Sequence, residues 1–274
     1  MTINNIEGAQ DSCEDSCRYD FMLNLARDAG GIAWQYFLKV SDLSIDKKGE
    51  QDFVSLADKE TENYIRAAIS KRFPTDSLMG EEYGLENKEG KKGYTWIIDP
   101  IDGTNCFLNG LPYWCVSIAL SRHGELVAGA IFDPNQNELF HAMKGDGAKI
   151  NEKLVLPRSG LSVSNTFFCL GYKPCIDKAD YLEIVKKLVS KNGNPMRNGS
   201  GALMAAYAAT YKACGFYEAH INSWDVAAGC IIAQESGCYV SDYFTPESLL
   251  SGNKVLICPF NLLDEVKDIV NWKD

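Results

Sequence analysis

The chain has 274 residues, with 27 Lys+Arg against 37 Asp+Glu and a formal charge of −10. At roughly 100–200 residues per domain, that length makes one large domain or two tightly joined halves with a real core. Hydrophobic residues at 46% and charged residues at 23% exclude wholesale disorder and low-complexity fibres, and the acidic balance argues against a nucleic-acid-binding surface, which needs basic patches.

Residues 1–19 are polar and acidic, with no basic start and no apolar core, so they read as a loose N-terminal arm rather than a secretory signal. No apolar run approaches ~18 residues, so no membrane span is expected. Ten cysteines, most of them inside apolar stretches such as Trp114-Cys115-Val116, and only three histidines point to reduced thiols in the cytoplasm, not a disulfide framework or a zinc site. Cys13 and Cys17 in the arm read as plain surface thiols.

From Phe21 to Phe37 apolar residues recur at three- and four-residue spacing, a helix with Phe21, Leu25, Ile32 and Tyr36 near one face. A polar connection over 44–52 follows. Ser55-Leu56-Ala57-Asp58 then resembles an acidic capping box opening a second helix with Ala57, Thr61, Ile65, Ala68 and Ile69, closed by Pro74. Tyr94–Ile98 reads as a buried strand ending at Asp99-Pro100. Short strand-like runs between Trp114 and Asn151, separated by turn-formers, read as an antiparallel meander. Beyond about residue 160 strands and helices alternate, with helices over 180–191, 202–213, 226–235 and 262–270. The class is mixed α/β with layered sheets and helices, a single domain over 1–274 with subdomains about 20–155 and 156–274.

Chemistry concentrates where the buried strand ends. Asp99 and Asp102, three residues apart, can turn into one crevice at a strand's carboxyl end. Pro100 fixes the backbone between them and leaves the Ile101 carbonyl free to face a ligand. Gly103-Thr104 offers backbone N–H groups where a helix could begin. Hard oxygen ligands beside such amides are what a magnesium–phosphate site requires. Taken alone, Asp-x-x-Asp reads first as a capped turn, Glu81-Glu82 as a solvated turn, and Asp225 equally as a helix N-terminal acid.

Together, Gly80-Glu81-Glu82, Asp99-Pro100-Ile101-Asp102-Gly103-Thr104 and Trp224-Asp225-Val226-Ala227-Ala228-Gly229 resemble, in order and spacing, the inositol monophosphatase family of Mg²⁺-dependent, lithium-sensitive phosphatases. Asp52-Phe53-Val54-Ser55-Leu56-Ala57-Asp58 is similar to that family's Asp-x-Val-Thr/Ser-x-x-Asp segment, and Gly199-Ser200-Gly201-Ala202 to its Gly-Ser/Thr-small-Ala turn. The resemblance implies the five-layer αβαβα sugar-phosphatase fold shared with fructose-1,6-bisphosphatase, a homodimer, and hydrolysis of myo-inositol monophosphate by metal-activated water.

By the same resemblance two to three Mg²⁺ ions are held by Glu81, Asp99, the Ile101 carbonyl, Asp102 and Asp225, with Asp99 bridging. Thr104 and Asp52 pair beside Glu81 to orient and deprotonate the attacking water. Asp102, Gly103, Thr104, Ser200, Gly201 and Asp225 contact substrate, and Glu218 accepts hydrogen bonds from ring hydroxyls. The run Asn105-Cys106-Phe107-Leu108-Asn109-Gly110 departs from the Thr-Asn-Phe-x-His-Gly of many inositol-type members. It also lacks the lysine that follows Gly-Thr in relatives acting on histidinol phosphate or nucleotide 3′-phosphates, which favours inositol or another sugar phosphate. Histidinol-phosphatase or fructose-1,6-bisphosphatase-type activity, or a binding role in transcription machinery, stand as alternatives. An EF-hand-like calcium module lacks its Asp-x-Asp-x-Asp-Gly loop.

Overall fold

The computed structural model describes residues 3–40, 45–49, 52–88 and 93–273, and side chains throughout these except at 3–11, 45–49, 52–55 and 246. Residues expected to form a loose arm are instead helical: α1 runs unbroken over Ile3–Phe37. The polar residues that suggested solvent exposure tie the helix down. Buried Arg18 donates to both oxygens of Asp76 at 2.8 and 3.0 Å and lies 3.8 Å over the Tyr94 ring, and Tyr94 in turn donates its hydroxyl to Asp15. The inward stripe is Met22, Leu25, Ala26, Ala29 and Ala33, with Ile32 and Tyr36 only half-buried. Alanines let the helix approach the sheet closely.

The expected polar connection contains a short antiparallel hairpin, β1 (Ile45–Gly49) with β2 (Asp52–Ser55), leading directly into α2 (Leu56–Arg72). Next come β3 (Ser77–Gly80), β4 (Gly84–Glu86), β5 (Tyr94–Asp102), the one-turn α3 (Thr104–Leu108), and the strands β6 (Cys115–Arg122), β7 (Glu125–Asp133), β8 (Glu138–Met143), β9 (Ala148–Ile150) and β10 (Lys153–Leu154). These strands form one sheet in the order β10-β9-β8-β7-β6-β5-β3-β4. The meander expected after Trp114 is its antiparallel run from β6 to β10, and only β3 and β5 pair in parallel.

The second half comprises β11 (Phe167–Leu170), α4 (Lys178–Ser190), β12 (Asn194–Met196), α5 (Gly201–Ala209), β13 (Ala213–Ile221), α6 (Ser223–Glu235), β14 (Cys238–Val240), α7 (Pro246–Ser251), β15 (Asn253–Pro259) and α8 (Leu263–Ile269). Its sheet has the order β12-β11-β13-β15-β14. The four expected helices are present with ends displaced by a few residues. Strand β13 follows α5 so closely that its first residue reads as helix in the sequence.

Packing gives five layers: α1 and α2, the eight-stranded sheet, α5 and α6, the five-stranded sheet, then α4 and α8. Met22, Leu25, Ile65, Ile69, Trp96 and Ile98 fill the first apolar layer. Leu203, Ala205, Ala228, Ile231, Phe168 and Phe216 belong to the larger core around the central helices. That small-residue central layer lets both sheets deliver strand ends to one cleft. All ten cysteines are unpaired, and among the described residues no helix is long and apolar enough to cross a membrane.

Candidate metal centre and active site

Strand β5 does not stop at Asp99. It continues to Asp102 through a bulge, with Asp99 opposite Ser117, Asp102 opposite Cys115 and the register slipping between them. Pro100 sits in the bulge, where its missing N–H costs no ladder bond. The bulge allows two acids three residues apart to serve one cleft, since regular alternation would send them to opposite faces. Asp99 Oδ1 accepts the Ile101 N–H at 3.0 Å, fixing the carboxylate on its own turn.

Asp102 is held from across the chain. It accepts the Ser200 hydroxyl, the Ala202 N–H at 2.7 Å and the Gly201 N–H at 3.3 Å, so it supplements the N-cap of α5. Asp225 lies in the first turn of α6, and its Oδ2 accepts the Asn222 N–H at 3.3 Å. One oxygen from each of Asp99, Asp102 and Asp225 falls within 4.8 Å of the others. Gly103 makes the turn after Asp102 at φ 93°, and a Cβ there would fall 2.5 Å from the Tyr113 carbonyl, so both conformation and space demand glycine.

These groups form the floor of a cleft of about 660 Å³, whose lining also includes Glu81, Ile101, Thr104, Gly201 and Glu218. Ser200 is fully buried and gives its hydroxyl to Asp102. The sequence expected Ser200 on the substrate rim; its hydroxyl positions the Asp102 carboxylate. The Asp52 expectation concerns a side chain outside the described residues. Asp52 itself is placed in β2. The hydroxyl of Thr104 lies 3.3 Å from Asp58 Oδ1 and 3.0 Å from the Ile101 carbonyl.

The electrostatics are those of crowded acids in a dry place. Burial pushes the Asp99 carboxyl well above the carboxylate range, and the charges of Glu81, Asp102, Asp225 and Asp58 push it further. Asp102 moves the same way, through burial and Asp225, partly offset by its hydrogen bonds from Ser200, Ala202 and Gly201. Glu218, 5% exposed, is pushed up to about 8, chiefly by burial. Lys173 is the counterweight, its Nζ 3.2 Å from Asp225 Oδ2. Burial lowers that ammonium's pKa, but Asp225, Glu218 and Glu81 outweigh it and leave it raised. Converging carboxylates whose mutual repulsion disfavours their charged forms, with a carbonyl beside them, make a donor set suited to hard divalent cations.

A pH dependence follows. In metal-free protein Glu218 holds a proton up to about 8, whereas its ordinary value is 4.5, and Asp99 and Asp102 are shifted in the same direction. The folded state thus binds protons that the unfolded chain has released, so stability is full below about 4.5 and is lost as pH rises toward about 8. Melting temperatures recorded in chelator from about pH 5 to 8.5 should fall with rising pH, and Mg²⁺ should flatten the slope. A chelated protein with constant melting temperature across that range would contradict this electrostatic picture.

The layered αβαβα architecture and a cluster of acids that could hold a metal ion define the class. The sequence model of the inositol monophosphatase family matches residues 14–268, and the chain belongs to that family. It is 36% identical over 226 residues to Nus factor SuhB of Xylella fastidiosa, covering 82% of this chain and 81% of that protein. It is 33% identical over 244 residues to the inositol-1-monophosphatase of Mesorhizobium japonicum, covering 88% and 91% respectively. The IMPase of Thermotoga maritima, 31% identical, matches with a TM-score of 0.81 over 93% of this chain and 96% of that one.

Sequence reasoning missed Lys173 and Arg197, the basic residues that line the cleft among the described residues. Lys173 follows β11, which runs parallel to β13, so the carboxyl ends of both strands face the cleft. That position was the available signal. Arg197 gives its guanidinium to the Tyr172 carbonyl at 3.2 Å.

Proposed function

We propose that the protein is a Mg²⁺-dependent phosphomonoesterase acting on myo-inositol monophosphate, with Glu81, Asp99, the Ile101 carbonyl, Asp102 and Asp225 holding two to three ions. The observation that carries this reading is the meeting of Asp99 and Asp102 of β5 with Asp225 of α6 within 4.8 Å. When bound, the ions would neutralise phosphoryl oxygens and make water acidic enough to attack phosphorus near neutral pH.

The chain's own groups supply orientation and proton handling. Thr104 Oγ1 accepts a hydrogen bond from the attacking water, and its own proton points to Asp58 Oδ1. As the water oxygen bonds to phosphorus and the ester P–O bond breaks, the proton lost by the water moves onto this Thr104–Asp58 pair, and the leaving alcohol oxygen takes a proton from solvent water in the open cleft. The Gly103 and Thr104 amides face the phosphoryl oxygens. Glu218 accepts ring hydroxyls, and Gly201, lacking a side chain, leaves room for the ring. Residues from both subdomains, about 20–155 and 156–274, close the site. Lithium sensitivity, a homodimer, a cytoplasmic setting and no use of nucleic acid complete the reading, with ten unpaired cysteines supporting a reducing compartment.

The test is phosphate release from inositol 1-phosphate, histidinol phosphate and fructose 1,6-bisphosphate under one set of conditions. Inositol phosphate should rank first, and a rank well below histidinol phosphate would defeat the Glu218 argument. Glu218→Ala should raise KM for inositol phosphate about tenfold or more, the order expected for loss of a buried hydrogen bond. Its turnover of p-nitrophenyl phosphate should stay close to wild type.

The names of relatives such as Nus factor SuhB favour a second reading, a role in transcription machinery beside or instead of hydrolysis. An Asp102→Asn variant separates the two. Partner binding that survives the loss of turnover would establish the second role. The cost of concentrating buried acids speaks for retained chemistry, since a scaffold gains nothing from them.

A further inference from the structure

We infer that Glu62 and Arg66 of α2 are positioning residues for the Glu81 carboxylate, an inference that rests on Glu81 being a cation ligand. Glu62 is fully buried, and the Arg66 side chain is 12% exposed. Glu62 Oε1 accepts Arg66 Nε at 2.7 Å, and its Oε2 accepts the backbone N–H of Glu82 at 2.8 Å. Arg66 Nη2 donates to the Gly84 carbonyl at 2.6 Å, and Nη1 reaches Glu86 at 3.4 Å. Glu81 itself gives its N–H to the Ile98 carbonyl at 3.2 Å. The turn between β3 and β4 is therefore fastened at Glu81, Glu82 and Gly84, around the one residue of the turn that lines the cleft.

Two further features fit positioning better than stability alone. Gly80 packs directly on the Glu62 carboxylate with no space for a Cβ, so the chain gives up a side chain to bring the turn down on this acid. Buried ion pairs are seldom needed for stability, because apolar pairs of the same shape serve as well. Here the pair's remaining hydrogen bonds end on the backbone flanking Glu81. One helical turn earlier on the same face, Asp58 meets Thr104. A single face of α2 thus sets the spacing between the Thr104 hydroxyl and the Glu81 carboxylate, which line the same cleft.

The test uses the full chain and two readouts: Mg²⁺ dissociation constants by calorimetry, and hydrogen exchange of the Glu82 amide without metal. Glu62→Ala should weaken Mg²⁺ binding at least ~10-fold and speed Glu82 exchange at least ~10-fold, while kcat at saturating Mg²⁺ falls much less. Glu62→Gln, whose amide oxygen still accepts the Glu82 N–H, should restore both toward wild type. If Glu62→Ala does not fold, Arg66→Met, which removes the Gly84 anchor, carries the same expectations. A folded variant with unchanged Mg²⁺ affinity and unchanged Glu82 exchange overturns the inference. Wild-type protein that binds no Mg²⁺ would defeat the phosphatase reading instead, and the exchange data would still decide whether the brace holds the turn.

Discussion

Asp99→Asn should lower turnover by at least ~10³-fold, equivalent to about 4 kcal/mol of transition-state stabilisation. Asp99 is buried at the bulge of β5, within reach of the oxygens of both Asp102 and Asp225, so its charge serves every cation the cleft holds. An amide keeps the shape and the hydrogen bond from the Ile101 N–H but loses that charge. The same change should not destabilise the metal-free fold. Burial and four neighbouring acids already disfavour the ionised form of Asp99, so removing it relieves repulsion. The expected signature is therefore lost activity with a chelated melting temperature equal to or above wild type. A variant retaining a tenth of wild-type turnover would refute the assignment.

The second large effect is expected at Asp58. Asp58→Asn should cost roughly 10²-fold or more in kcat, the usual scale for removing a positioned proton acceptor. Mg²⁺ affinity should change little by comparison, because Asp58 acts through Thr104. Thr104→Val should cost a similar amount, and the double variant should lose little beyond either single one, as residues acting as a unit do. Asp52→Asn, assayed in parallel, tests the pairing first expected from sequence, and the larger loss should fall at Asp58. Equal or greater loss at Asp52 would make Asp52 the partner of Thr104.

The site was legible where its chemistry is local. Asp99, Ile101, Asp102, Gly103 and Thr104 are consecutive or nearly so, and a strand, a proline and a glycine announce the turn that presents them. Asp225 stood out only through its motif, because an acid in a helix's first turn is ordinary on its own. What escaped reading depends on tertiary contact. Asp58 and Glu62 lie at three- and four-residue spacing with Ile65 and Ile69, and all four are buried in α2. Acids on an apolar stripe were the available sign that this face carries function, since unpaired buried acids are costly. The N-terminal arm misled for the complementary reason. Asp15 and Arg18 look like solvent-facing residues until their partners, Tyr94 of β5 and Asp76 just before β3, are brought beside them. Ser200 shows the same dependence, because a small polar residue before a helix can serve a rim or a carboxylate, and only the packing of α5 against the β5 bulge decides.

The most direct measurement of the central claim is a Mg²⁺ titration of phosphate release from inositol 1-phosphate, starting from chelated protein. The account predicts no turnover without the ion, a saturable rise as Mg²⁺ is added, and loss of that rise in Asp99→Asn. Hydrolysis that proceeds equally well in chelator, or that survives Asp99→Asn, would contradict it.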